Sequence, residues 1–151
     1  NANVSLPVVT GEGIHNVFGF RDVFLNSAAD IINPDVASVG GIMKLKEIAA
    51  TAEPYYVAMS PHNYNSTLVG MAATIQACAT MTNFIIAEYF VTFADLACEI
   101  SPNNPMVPKD SYIDLPTGPG LGIEVNEEVL KKYPFEQFAT RVTRQISDEG
   151  P

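Results

Sequence analysis

Four ionisable residues recur at nearly constant intervals along the chain: Glu12, Asp35, His62 and Glu88, separated by 23, 27 and 26 residues. Each of them closes a short apolar run of the kind that forms a buried strand, and each interval has room for one loop, one helix and one strand. Such a repeat is typical of a βα barrel, where the carboxyl ends of parallel strands surround one mouth. We therefore predict that the four side chains lie on one arc at that mouth.

The segments between these residues predict four βα units of an α/β fold. Strands are predicted over Ser5–Glu12, Ala29–Asp35, Tyr55–His62 and Asn83–Glu88, and helices over Val17–Ser27, Ile42–Ala52 and Ser66–Thr80. The last of these helices is apolar on nearly all sides, so we expect it to be buried. Residues 1–100 are therefore interpreted as a partial (β/α) barrel.

The part of the chain after Glu88 does not continue this pattern. Its expected elements are a helical or irregular stretch (Tyr89–Ile100), a proline-rich loop (Ser101–Lys109), a short strand (Tyr112–Pro116), a glycine-rich turn (Thr117–Gly122), a helix that Asn126 caps and that stops before Pro134, and a fraying tail (Thr140–Pro151). No helix is expected directly after the glycine-rich turn, and Lys109 is the only nearby cation, so a phosphate-binding loop is the weakest interpretation. Residues 101–151 are interpreted as a separate C-terminal loop and helix segment.

Composition excludes some functions. The net charge of −9 argues against binding to nucleic acid or to anionic membrane surfaces. No uncharged apolar stretch is long enough to predict a membrane span, and we expect a cytoplasmic protein. Cys78 and Cys98 lack metal-type spacing, so buried free thiols are expected, with one disulfide as the alternative. The chain begins at Asn1 in the middle of a pattern, and we expect it to be a piece of a longer protein.

Several short motifs together carry a resemblance to one family. They are Thr10-Gly11-Glu12, Ile32-Asn33-Pro34-Asp35 with Gly40-Gly41-Ile42, Ser60-Pro61-His62, Ala87-Glu88-Tyr89 and the segment Pro116–Ile123. In this order, from about Leu6 to Val129, the chain resembles the C-terminal half of enolase-superfamily proteins of the mandelate racemase/muconate lactonizing enzyme-like branch, which includes acid-sugar dehydratases such as galactonate dehydratase. The resemblance implies a modified (β/α)7β TIM-type barrel, of which this chain supplies strands five to eight. The C-terminal segment would return over the barrel or toward a capping domain that this chain lacks.

The resemblance also implies a role for individual residues. Glu12 matches the third of three carboxylates that hold Mg²⁺, and the other two would lie upstream of this chain. Asp35 and His62 match a catalytic His–Asp pair on neighbouring strands, and Glu88 matches the acid on the next strand. His15 stands where some sugar-acid members place a histidine, and both a substrate contact and a loop hydrogen bond remain open for it.

These residue types suit removal of a proton from the carbon next to a carboxylate. Hard oxygen ligands such as Glu12 suit Mg²⁺, whose charge offsets that of the resulting enediolate. A neutral histidine can accept the proton, and Asp35 would fix the tautomer of His62 and stabilise the protonated ring. Glu88, next to the apolar residues Ile86 and Ala87, is expected to donate a hydrogen bond as a neutral acid.

Three functions remain open at this level. Loss of a β-hydroxyl after proton removal would make a dehydratase, and a second base from the missing half would make a racemase or epimerase. We favour dehydration because the Pro116–Ile123 segment resembles the sugar-acid members. A catalytically incompetent half-barrel is the third possibility. The expected partners are a small carboxylate or sugar-acid substrate and either the missing N-terminal half or copies of this chain, which alone is expected to be inactive.

Overall fold

The computed structural model describes residues 4–64, 66–103 and 106–137. The elements in chain order are β1 (Val9–Thr10), α1 (Val17–Leu25), β2 (Ile31–Ile32), α2 (Ile42–Ala52), a 3-10 turn (Glu53–Tyr55), β3 (Ala58–Met59), α3 (Leu68–Cys78), a second 3-10 turn (Val91–Phe93), α4 (Ala94–Ile100) and α5 (Glu127–Leu130). Within the described ranges, no helix has the length and apolar character needed to cross a bilayer.

The three strands form one parallel sheet in the order β1-β2-β3. Ile31 pairs with Val9 on one side and with Ala58 on the other, and one helix lies between each strand and the next. The strands are shorter than predicted because the regular ladder covers only two residues of each apolar run. Beyond the ladder, one further parallel bridge joins Asp35 to His62 at the carboxyl ends.

The predicted fourth strand is wrong as a regular element. Within Asn83–Glu88 the structure has a single parallel bridge, between Met59 and Phe84. The Met59 N–H donates to the Asn83 carbonyl at 2.9 Å, and the Ile85 N–H donates to the Met59 carbonyl at 3.0 Å. The segment is therefore extended and follows β3, but no described strand lies on its other side to complete a ladder.

Helix boundaries follow the sequence more closely. The helix α2 has the predicted bounds, while α1 and α3 are each two residues or more shorter than predicted. At the start of α1, the Asn16 side chain accepts a hydrogen bond from the Gly19 N–H at 3.0 Å, which is an N-cap. Helix α3 buries six of its eleven residues, in agreement with its apolar sequence.

Two clusters of buried side chains hold these elements together. The first packs α1 and α2 against the sheet and is centred on Phe20, Ile32, Leu45, Ile48 and Met59, all 0% exposed. The second joins α3, α4 and α5 and includes Ala72, Ala97, Ile100, Met106 and Val129. The α4 and α5 helices therefore pack on the outside of α3, away from β1 and β2.

The C-terminal segment contains α5 as predicted, and the Asn126 side chain accepts the Glu128 N–H at 3.1 Å as an N-cap. The predicted strand Tyr112–Pro116 is wrong: its only described pairing is a single antiparallel bridge between Lys109 and Tyr112. The intervening Asp110 and Ser111 both have positive φ and form a tight turn. The chain reverses direction at this turn, and a single bridge forms across it. The predicted fraying tail, Thr140–Pro151, lies wholly outside the described residues.

Candidate active site

The imidazole of His62 lies at the centre of the predicted arc. Its Nδ1 is 3.0 Å from Asp35 Oδ2, and its Nε2 is 3.6 Å from Glu12 Oε2 and 3.6 Å from Glu88 Oε2. The His62 side chain is 17% exposed. The structure thus brings together all four residues that the sequence spacing singled out.

Asp35 is held in place by the backbone that follows it. Its Oδ1 accepts the N–H groups of Ala37 at 2.8 Å and Ser38 at 3.1 Å, and the residue is 7% exposed. This leaves Oδ2 to accept a hydrogen bond from His62 Nδ1. With the ring neutral, we assign the proton to Nδ1 on this geometry, so the lone pair of Nε2 points toward the two glutamates.

Glu88 accepts a hydrogen bond from the Asn63 N–H at 3.0 Å through Oε2. Its side chain is 46% exposed, so the apolar surroundings expected from the neighbouring sequence do not enclose it among the described residues. Asn63 itself is buried, and its Nδ2 is 2.6 Å from Met71 Sδ. The loop after β3 therefore positions both His62 and, through its backbone, Glu88.

Glu12 lies in a tight turn after β1, which the hydrogen bond from the Ile14 N–H to the Gly11 carbonyl closes at 3.0 Å. Its N–H donates to Asn33 Oδ1 at 3.1 Å, while its side chain is 65% exposed. An exposed carboxylate suits one coordination position of Mg²⁺. However, the described ranges contain no group of three or more His, Cys, Asp or Glu residues arranged to hold a metal. Glu12 therefore fits as a single ligand, and the residues that the structure describes do not by themselves complete a metal site.

His15 lies apart from this hydrogen-bonded set. It is exposed on the turn between β1 and α1, and no hydrogen bond or ion pair joins it to His62 or the three carboxylates. A role in substrate contact therefore stays a prediction.

Three neighbours of the site were not singled out by sequence: Asn33, Asn63 and Tyr64. The Tyr64 ring centroid is 6.3 Å from that of His62 and 4.6 Å from that of Phe90. The one signal for them in the sequence is their closeness to predicted site residues, since Asn33 precedes Asp35 by two residues and the other two directly follow His62. Their contacts, however, depend on pairing between distant segments.

The two cysteines have different environments. Both are free, but only Cys78 is buried, so the expectation of two buried thiols is wrong for Cys98. Burial raises the pKa of the Cys78 thiol to about 12. Neither cysteine belongs to the site around His62.

The chain is similar to known proteins of one family. Residues 1–129 match the family model described as enolase C-terminal domain-like. D-xylonate dehydratase from Haloferax volcanii is 27% identical over 134 residues, which cover 89% of this chain and 32% of that protein. The chain spans about a third of the length of the curated relatives it matches.

Solved structures have the same fold. A mandelate racemase/muconate lactonizing enzyme-type protein from Burkholderia SAR-1 is 34% identical, with a TM-score of 0.82 over 88% of this chain and 32% of that one. A galactarate dehydratase-type enolase from Agrobacterium radiobacter, bound to Na and L-malate, is 27% identical, with a TM-score of 0.82 over 97% of this chain and 40% of that one. The fold is therefore a TIM-barrel-type α/β fold, and the chain belongs to the enolase superfamily, among the mandelate racemase/muconate lactonizing enzyme-like proteins.

Proposed function

We propose that this chain is part of a Mg²⁺-dependent acid-sugar dehydratase and supplies its residues for proton transfer. In this proposal it forms strands five to eight of the barrel. The observation that carries the proposal is the orientation of His62, whose Nδ1 is hydrogen-bonded to Asp35 and whose Nε2 faces Glu12 and Glu88. The dehydratases among its relatives support a sugar acid as the substrate class.

In the proposed reaction, His62 Nε2 accepts the proton from the carbon next to the substrate carboxylate. The ring then carries a positive charge, which Asp35 Oδ2 stabilises at 3.0 Å through the Nδ1–H bond. Because Asp35 Oδ1 is already bonded to two backbone N–H groups, the carboxylate does not need to rotate during the transfer. This fixed orientation lowers the cost of forming the imidazolium.

The second step removes the β-hydroxyl as water. The C–O bond breaks with its electron pair, and the departing oxygen takes a proton from His62 Nε2 or from an acid elsewhere in the protein. Glu88 Oε2 is 3.6 Å from the same Nε2, and in this proposal the protonated Glu88 donates a hydrogen bond to the enediolate. The product is an enol, which tautomerises to a 2-keto acid.

Bound Mg²⁺ would neutralise the negative charge that develops on the substrate carboxylate. In this chain Glu12 is the residue that would hold it, and the remaining protein ligands would come from outside the described residues.

A racemase or epimerase is the second candidate, supported by the racemase-type relative of solved structure. It uses the same His62 step but returns the proton to the opposite face of the carbon, from a base outside this chain. The two candidates differ in product, since only the dehydratase releases water and forms a keto acid.

The test uses the intact protein as it is naturally translated, with Mg²⁺ in D₂O and a panel of aldonic and aldaric acids. We expect a 2-keto acid product that carries solvent deuterium at C3, where the enol is protonated, and deuterium at the α-carbon of the recovered substrate. His62→Asn should abolish both, whereas Glu53→Gln, at an exposed position before β3, should change neither. Exchange with inversion and no keto acid would identify a racemase, and exchange retained in His62→Asn would remove this histidine from the mechanism.

A further inference from the structure

Asn33, which directly follows β2, forms hydrogen bonds with the residues on both sides of Gly11 at the end of β1. Its N–H donates to the Thr10 carbonyl at 3.0 Å, and its side-chain Oδ1 accepts the Glu12 N–H at 3.1 Å. The backbone of Glu12 is therefore fixed to the neighbouring strand, although its side chain is exposed.

The approach at Gly11 is close and leaves no space for a side chain. Its φ is +138°, and a Cβ there would lie 3.0 Å from Phe20 Cε1 and 3.1 Å from the backbone N of Asn33. Only glycine adopts this conformation without strain. The turn that carries Glu12 is thus packed directly on Asn33.

The same short segment also places the histidine. Two residues after Asn33, Asp35 Oδ2 accepts the hydrogen bond from His62 Nδ1, and the carbonyl of the fully buried Pro34 accepts the His62 N–H at 3.1 Å. Asn33–Asp35 therefore contacts both the residue proposed to bind the cation and the proposed base. Their separation, 3.6 Å between Glu12 Oε2 and His62 Nε2, depends on this segment.

We propose that Asn33 is a positioning residue that fixes Glu12 relative to the His62–Asp35 pair. The catalytic consequence rests on the proposed function, while the effect on cation binding requires only that Glu12 is a ligand. Removing a hydrogen-bond partner of the ligating group itself typically costs about 10- to 100-fold in metal affinity or activity. Asn33 acts on the backbone of Glu12 instead, so we expect the lower end of that range.

The experiment compares Asn33→Leu, which keeps the size but removes the acceptor, with Asn33→Asp, which keeps an acceptor oxygen. Both are made in the intact protein, and Mn²⁺ affinity is measured by EPR alongside kcat and KM. We expect Asn33→Leu to weaken Mn²⁺ binding and lower kcat by about tenfold or more each, with a smaller change in KM. Asn33→Asp should stay close to wild type.

The matched control is Asn26→Leu, because the Asn26 amide donates to the Asp22 carbonyl at the far end of α1. It should leave both measurements unchanged.

The proposal is overturned if Asn33→Leu behaves as wild type, if Asn33→Asp is impaired equally, or if the wild-type protein binds no Mn²⁺. Should Asn33→Leu fail to fold, Asn33→Ser replaces it, because the shorter hydroxyl does not reach the Glu12 N–H. A protein that binds Mn²⁺ but transforms no sugar acid contradicts the proposed function alone, and the Mn²⁺ series still decides the role of Asn33.

Discussion

The two ring nitrogens of His62 have different partners, and this difference determines which of them can act as a base. Nδ1 has one fixed acceptor in Asp35 Oδ2, whereas Nε2 has no acceptor or donor closer than 3.6 Å among the described residues. A neutral ring with its proton on Nδ1 donates a hydrogen bond to the buried carboxylate and leaves Nε2 unprotonated, 3.6 Å from Glu12 and Glu88. The function of Asp35 therefore depends on its being an acceptor rather than on its size.

Asp35→Asn should reduce α-carbon exchange by about three to four orders of magnitude, comparable to the loss on the same change in a Ser-His-Asp triad. The amide N–H would donate to Nδ1 and move the ring proton to Nε2, which then cannot accept one. Exchange into deuterated solvent in the intact protein measures this effect. Asp22→Asn, at an exposed position on α1, is the matched control. Equal losses in the two variants, or none in Asp35→Asn, would contradict the tautomer assignment.

The cysteines give a second prediction at this scale, on thiol reactivity. Because burial raises the pKa of Cys78 to about 12, its reactive thiolate is almost absent near pH 8, whereas Cys98 is exposed. Under native conditions a thiol reagent should label one cysteine per chain rapidly and the second only after denaturation. Cys98→Ser should remove the rapid phase, and Cys78→Ser should leave it. Rapid labelling of both thiols would show that α3 is not packed as described.

Among the elements, α3 depends most on packing. Ala72 of α3 is 0% exposed in the cluster that α3 forms with α4 and α5, while Val69 on the same helix is 43% exposed. Ala72→Asp would bury a charge without a partner, and we expect the free energy of unfolding to fall by about 3 kcal/mol or more. Val69→Asp should cost less than about 1 kcal/mol, since its carboxylate reaches water. Urea denaturation of the two variants measures the difference, and similar losses would mean that the two faces of α3 are equally exposed.

Elements that depend on interactions between residues close in sequence were predictable, and those that depend on contacts between distant segments were not. The bounds of α2 were predicted because the glycine pair before it, the apolar periodicity and the helix hydrogen bonds are all local. Asn83–Glu88 and Tyr112–Pro116 have strand-like composition, but a ladder requires partners that composition does not specify. The arc around His62 was predictable because the βα repeat fixes where strands end. The Asn33 and Asn63 hydrogen bonds were not, since they depend on the exact approach of neighbouring loops.

For the molecule as a whole, the sheet has two edges that no described strand covers. At one edge, Leu6 and Val9 are 76% and 50% exposed, and at the other, Ile85 and Ile86 are 53% and 63% exposed. Parallel sheets are normally covered on their faces and protected at their edges, because uncovered apolar strands associate with one another. The net charge of −9 opposes this association through repulsion, and salt screens that repulsion.

We therefore expect the 151-residue chain, made alone, to associate in a concentration-dependent manner and to catalyse little or no exchange on any sugar acid. Light scattering at rising protein concentration measures the first effect, and added salt should increase it. Ile86→Lys should reduce association by placing a charge on the open edge, whereas Phe18→Lys, an 85% exposed position on α1, should reduce it much less. If Phe18→Lys is equally effective, association proceeds through helix surfaces. A stable monomer that catalyses exchange would mean that the described sheet needs no partner and that one chain holds a working site.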